Sequence, residues 1–163
     1  MKVILFDLGD TLEYQDQNKD VPMPGTIELL SALQDMHDYN GDTPALALVS
    51  DFDEPTENYY TLLRTLGIDT FFKPLKDRVT LSNEVGVMKP DEKIFRAAID
   101  KISKGLSYQN VIFITENKEH TAAARKLGMM TIRLKRAGET DGEVNNLFEM
   151  VPLIHLFVLT SST

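Results

Sequence analysis

The chain has 163 residues, of which 42% are hydrophobic and 26% charged, enough apolar content for one sizeable core in one ordinary domain. Its formal charge of −8 lacks the basic footprint that nucleic acid or an anionic membrane surface requires. It contains no cysteine, which excludes disulfides, thiolate nucleophiles and cysteine-based zinc or iron–sulfur sites. The apolar N-terminal run ends at Asp7, too short for a signal-peptide core, and the run at 151–159 is broken by Pro152 and His155 and far shorter than a membrane span. The expectation is a soluble, cytoplasmic protein.

Strand and helix signals alternate along the chain, the pattern of a parallel sheet covered by helices on both faces. Val3–Phe6 reads as the first strand and 13–20 as a polar surface loop. A helix is predicted over 24–36, where Ile27, Leu30, Leu33 and Met36 recur at helical spacing. Residues 45–49 form a second apolar strand ending at Ser50 and Asp51, and a helix over 56–66 stops at Gly67. Phe71 and Phe72 read as a brief third strand, and Pro90 as the front of a helix over 91–102. A buried strand at 111–114, a helix over Lys118–Leu127 closed by Gly128, a strand at 130–134, a loop at 136–142 and a final helix over 144–157 complete the α/β pattern. No repeat, low-complexity tract or domain boundary interrupts it, so 1–163 is expected to form a single domain.

In an open α/β sheet, chemistry gathers at the carboxyl ends of the strands. The residues there are Asp7, Asp10 and Thr11 after the first strand, Ser50 and Asp51 after the second, and Thr115, Glu116 and Asn117 after the fourth, with Lys89 just before a helix. Two carboxylates beside a turn suit a hard cation such as Mg²⁺, which is commonly held by one or two carboxylates plus a phosphate. The same residues also read as a capped turn, Ser50 and Asp51 as a helix cap, Glu116 as a first-turn acid, and Lys89 as an exposed lysine. His120 has no evident metal partner, and His37 and His155 read as surface or helix-packing residues.

Taken in order, these segments resemble the haloacid dehalogenase-like superfamily. Phe6-Asp-Leu-Gly-Asp-Thr-Leu12 is similar to its first motif, Asp-x-Asp-x-Thr after an apolar strand, and Val49-Ser50 to its second. Val87-Met-Lys-Pro-Asp-Glu-Lys-Ile-Phe95 is similar to the third, and 111–128, a strand running into acids and an alanine-rich helix, to the fourth. The resemblance implies a three-layer Rossmann-like sandwich and a phosphohydrolase in which Asp7 is the nucleophile that becomes an aspartyl-phosphate. It further implies Mg²⁺ held by Asp7, the carbonyl of Gly9 and Glu116, with Thr11, Ser50, Asp51 and Lys89 binding the phosphoryl group. Between the motifs there is room only for single helices and their connections, which implies a capless member. Its open site would take a phosphorylated small molecule or phosphoprotein, or would be closed by a neighbouring subunit of a homo-oligomer acting as a lid.

The chain departs from the pattern where the family's leaving-group acid stands, because Gly9 occupies that place and the carboxylate follows at Asp10. Asp10 is then either a displaced acid–base catalyst or misaimed for that role, worth about 10²–10⁴-fold in rate. The rival is a catalytically weak or inactive ligand-binding protein. A receiver-type phosphoacceptor fits poorly, since its Lys-Pro should follow the last strand. Convergence of Asp7, Asp10, Asp51 and Glu116 would set four negative charges against Lys89 alone, so charge repulsion predicts that a cation is required.

Overall fold

The computed structural model describes residues 1–160. After β1 (Val3–Phe6) come β2 (Glu13–Asp16), β3 (Lys19–Pro22), α1 (Thr26–Gln34), β4 (Ala45–Ser50), α2 (Thr56–Thr65), a 3-10 turn at Asp69–Phe72, the one-turn helix α3 (Leu75–Arg78) and β5 (Val79–Leu81). The one-turn α4 (Ser82–Val85), α5 (Glu92–Ile102), β6 (Val111–Thr115), α6 (Lys118–Leu127), β7 (Met130–Arg133) and α7 (Met150–Leu159) follow. Among these residues the main sheet is five-stranded and wholly parallel, in the order β5-β4-β1-β6-β7. β1 is the central strand.

Strands buried on both faces need apolar residues at every position, because successive side chains point to opposite sides. Ile4, Phe6, Leu46, Leu48, Ile112 and Ile114 enter one core with Leu29, Leu30 and Leu33 of α1, Tyr59 and Leu63 of α2, and Ile154 and Phe157 of α7. Val3, Leu5, Ala47, Val49, Val111 and Phe113 enter the other with Ile94, Phe95, Ala98 and Ile99 of α5 and Ala124 of α6. The result is a three-layer α/β sandwich. Phe6 lies opposite both Leu48 and Ile114, so the carboxyl ends of β4, β1 and β6 are nearly level. That level edge is where the polar residues emerge.

Three local expectations are corrected. Phe71 and Phe72 lie in a 3-10 turn, not a strand. The turn sends Phe72 into the core edge-on to Phe6, with ring centroids 6.4 Å apart, and leaves the sheet edge to the three residues of β5. The polar stretch at 13–20 is part of an antiparallel hairpin whose two turn residues, Gln17 and Asn18, have φ of 48° and 61°, the positive values a two-residue hairpin turn requires. Pro90 precedes α5 instead of opening it, because Asp91 is the cap: its carboxylate accepts from the Lys93 amide at 2.8 Å. No helix among the described residues is long and apolar enough to cross a membrane.

Phe113 is fully buried and packs edge-to-face on Phe95 at 5.1 Å between centroids. Phe113→Ala is expected to lower unfolding free energy by about 3–5 kcal/mol, the range for deleting a buried aromatic ring. Leu156→Ala, at a position 66% exposed, should change it by less than about 0.5 kcal/mol. Urea titrations compare the two, and equal effects would contradict the assigned core.

Candidate active site

Asp7 leaves β1 at the level edge, its amide still bonded to the Ile114 carbonyl. The chain then turns tightly, the Leu8 carbonyl accepting from the amides of Thr11, Leu12 and Glu13. Lys89 reaches in from the segment before α5, its Nζ donating to Asp7 Oδ1 at 2.6 Å and to the Val49 carbonyl at 3.1 Å. The Lys89 side chain is only 2% exposed and that of Asp7 11%. The exposed-lysine alternative is thereby excluded.

On its other side Asp7 faces β6. Thr115 Oγ1 lies 3.0 Å from Asp7 Oδ2 and 3.1 Å from Glu116 Oε2, and its one proton serves one carboxylate at a time. Thr11, fully buried, donates to Glu116 Oε2 at 2.9 Å and accepts from the Glu116 amide at 3.2 Å. Glu116 is therefore inside the crevice and not a first-turn acid of α6, whose cap is Asn117. Asp51 is not a helix cap either. It accepts from the Lys89 amide at 2.8 Å, holding the lysine segment against β4.

Burial alone raises the Asp7 carboxyl, but His120, the charge and hydrogen bond of Lys89, and the Thr115 hydroxyl outweigh it and hold it below the usual carboxylate range. Asp7 is ionised at neutral pH. His120 Nδ1 stands 3.9 Å from Asp7 Oδ2, close enough to act on its carboxylate but beyond hydrogen-bond reach, and is buried with no hydrogen-bond partner. Ser50 Oγ and Tyr59 Oη are 2.6 Å apart. Burial pushes the Tyr59 phenol far above its ordinary value, with the charges of Asp7 and Glu13 adding to the effect.

The expected four-carboxylate cluster does not form. Asp10 adopts φ 53° and is exposed at the rim, where its charge acts on Glu13 and Arg136, and is not one of the buried carboxylates. Glu116 has a cation of its own, Arg136, whose Nη2 donates to Oε1 at 2.6 Å. Asp7 with Lys89 and Glu116 with Arg136 make two matched pairs, so charge alone does not require a metal. Among the described residues no three His, Cys, Asp or Glu side chains group as a metal cage. Asp7 and Glu116 nonetheless supply the hard oxygens of the one or two carboxylates that Mg²⁺ uses. The donor chemistry fits that ion.

Glu13, Tyr59 and Arg136 were not among the residues singled out by sequence. Glu13 pairs with Gly9 through an isolated bridge, and its Oε1 would lie 3.5 Å from a Cβ placed on Gly9. Its Oε2 is buried with no partner. Burial first, then the charges of Asp20 and Asp10, push its carboxyl up to about 7. The spacing of Tyr59, Leu63 and Leu66 on a helical face was a legible core signal, but nothing in it foretold the contact with Ser50. Arg136 and Glu13 carried no signal, since each reaches the crevice through loop or hairpin geometry.

Because the folded value of Glu13 lies above the ordinary 4.5, the native protein keeps a proton there that the unfolded chain loses between about pH 4.5 and 7. Stability from this group falls as pH rises through that window. Glu13→Gln, always neutral, removes the fall, so it should gain on wild type between pH 5 and pH 8 in urea titrations without divalent cations. A variant that tracks wild type at both pH values would contradict the buried carboxyl.

No family model matches the chain. It is 29% identical over 126 residues to the glyceraldehyde 3-phosphate phosphatase of Methanopyrus kandleri, covering 77% of this chain and 48% of that protein. It is 28% identical over 99 residues to the drimenol cyclase drtB of Aspergillus calidoustus, covering 53% of this chain and 18% of that one. The chain thus spans less than half the length of either relative. Among solved structures, an HAD phosphatase from Thermococcus onnurineus superposes with a TM-score of 0.72 at 17% identity, covering 94% of this chain and 98% of the other. The HAD family enzyme bt-2542 from Bacteroides thetaiotaomicron, an Asp-to-Ala mutant in complex with magnesium and inorganic phosphate, superposes at 0.64 with 15% identity, covering 86% and 97%. The chain carries the Rossmann-like α/β fold of haloacid dehalogenase-like hydrolases and phosphatases.

Proposed function

We propose that this chain is a Mg²⁺-dependent phosphohydrolase acting through Asp7 on a phosphorylated small molecule or phosphoprotein. The observation that carries the reading is the buried 2.6 Å contact of Lys89 with Asp7, which keeps an ionised carboxylate oriented at the sheet edge. An Asp7 oxygen attacks phosphorus, the bond to the leaving oxygen breaks, and an acyl phosphate forms. Water then cleaves that bond, releasing inorganic phosphate and restoring the carboxylate. Lys89 and the Ser50 hydroxyl are suited to phosphoryl oxygens, where preorganised donors stabilise developing charge. Mg²⁺, held by Asp7, Glu116 and the carbonyl of Gly9, would neutralise charge on the transferring group. The phosphatase activity of the Methanopyrus relative and the magnesium and phosphate bound by the Bacteroides enzyme support the reading.

Alkyl leaving groups need a proton. Asp10 is exposed, so we assign that task to Glu13, the partly buried carboxyl bridged to Gly9 where the family's acid stands. The exposure of Asp10 and the two matched ion pairs also favour a second reading, a ligand-binding protein with little or no turnover. A screen of sugar phosphates, nucleotides and phosphopeptides with Mg²⁺ separates them. Asp7→Asn should lose at least about 10³-fold in kcat/KM, while Glu13→Gln should lose about 10²-fold on alkyl phosphates and far less on aryl phosphates. Asp10→Asn should not reproduce that alkyl-over-aryl selectivity. Turnover that survives in Asp7→Asn would reject Asp7 as the nucleophile, and turnover absent from wild type on every class would reject the enzyme.

A further inference from the structure

Arg136 is the cation that the charge count had left out, and its position sets it against a metal. Glu116 Oε2 is taken by Thr11 and lies within reach of Thr115. Oε1 is the oxygen left to receive a cation, and Arg136 Nη2 already sits on it at 2.6 Å. The two partners differ in freedom. The Glu116 side chain is 7% exposed and that of Arg136 52%, so Arg136 is the one that can leave.

The backbone around it is held by other contacts. The Arg136 amide donates to Glu139 Oε2 at 2.9 Å, and Arg133 Nη1 donates to the same oxygen at 2.9 Å. Lys118 pairs with Asp141 at 2.8 Å. None of these uses the Arg136 guanidinium, so that group can swing while the loop stays in place. The space it would enter is a cavity of about 390 Å³ lined by Asp10, Met23, Leu134, Lys135, Arg136 and Ala137. Met23, Leu134 and Ala137 give it an apolar lining, and the carboxylate of Asp10 is outnumbered by two cations, one of which, Lys135, also faces Glu149.

We propose that Arg136 is a movable counter-ion: it neutralises Glu116 until a divalent cation takes that oxygen, and then turns into the adjoining cavity to receive a second anionic group of the substrate. The substrate class is a phosphate ester whose leaving portion is short, partly apolar and carries a carboxylate or second phosphate. The inference builds on the phosphohydrolase reading for its substrate, but its two tests need no turnover.

The first is calorimetric titration with MgCl₂. Arg136→Gln should bind Mg²⁺ roughly five- to tenfold more tightly than wild type, since a half-exposed charge-assisted pair is removed as competitor, and Arg136→Lys should fall between them. The second uses phosphonates, which cannot be hydrolysed. With Mg²⁺ present, wild type should bind 3-phosphonopropionate at least about tenfold more tightly than propylphosphonate, and Arg136→Gln should lose that preference. Equal Mg²⁺ affinity in wild type and Arg136→Gln, including no binding by either, would overturn the competition. Equal phosphonate affinities in wild type would overturn the anion site. Both binding results with no turnover on any phosphate would instead reject the hydrolase and leave the counter-ion intact.

Discussion

The ion pair between Lys89 and Asp7 is the constraint on which the rest of the crevice depends. A buried charge is unfavourable unless it is paired and hydrogen-bonded, and here each partner is pinned by more than the other. Asp7 Oδ1 also accepts from the Leu8 amide, and Lys89 from its own side donates to the Val49 carbonyl while its amide is held by Asp51. The pair therefore joins the turn after β1, the end of β4 and the segment before α5 into one edge.

A second layer of charge sits on the first. Thr115 bridges Asp7 to Glu116, and Glu116 is met from the other side by Arg136. In a chain of formal charge −8, the two most buried carboxylates of the crevice each have a cation of their own. That balance changes what a divalent cation would do there. It would not relieve a repulsion between naked carboxylates but would exchange with a cation the protein already supplies, which makes occupancy of the site sensitive to one flexible arginine.

Much of this was legible in the residues. β1, β4 and β6 are buried on both faces and so are written as unbroken apolar runs, and the polar residues that end them have nowhere to go but the sheet edge. That is why Asp7, Thr11, Ser50 and Glu116 could be gathered before any geometry was known, with Lys89, just before a helix, joining them in the segment that resembles the third motif. What could not be read depends on single backbone angles or on loops. Asp10 was counted with the buried carboxylates because spacing gives no burial, and in a turn with φ 53° it stands exposed at the rim. β5 was missed because three residues with Thr80 at the centre make no apolar run. Glu13 lies in a hairpin whose polar strands lack alternation, and Arg136 in an irregular loop, so neither contact leaves a pattern in sequence.

The central claim is that Asp7 itself takes the phosphoryl group. Brief exposure to acetyl phosphate with Mg²⁺, followed by borohydride, reduces an acyl phosphate to the alcohol, so a phosphorylated aspartate is recovered as homoserine in the peptide map. The account predicts that conversion at Asp7 and its loss in Asp7→Asn. Conversion at another carboxylate such as Asp10 or Glu13, or phosphate release with no conversion at Asp7, would contradict it.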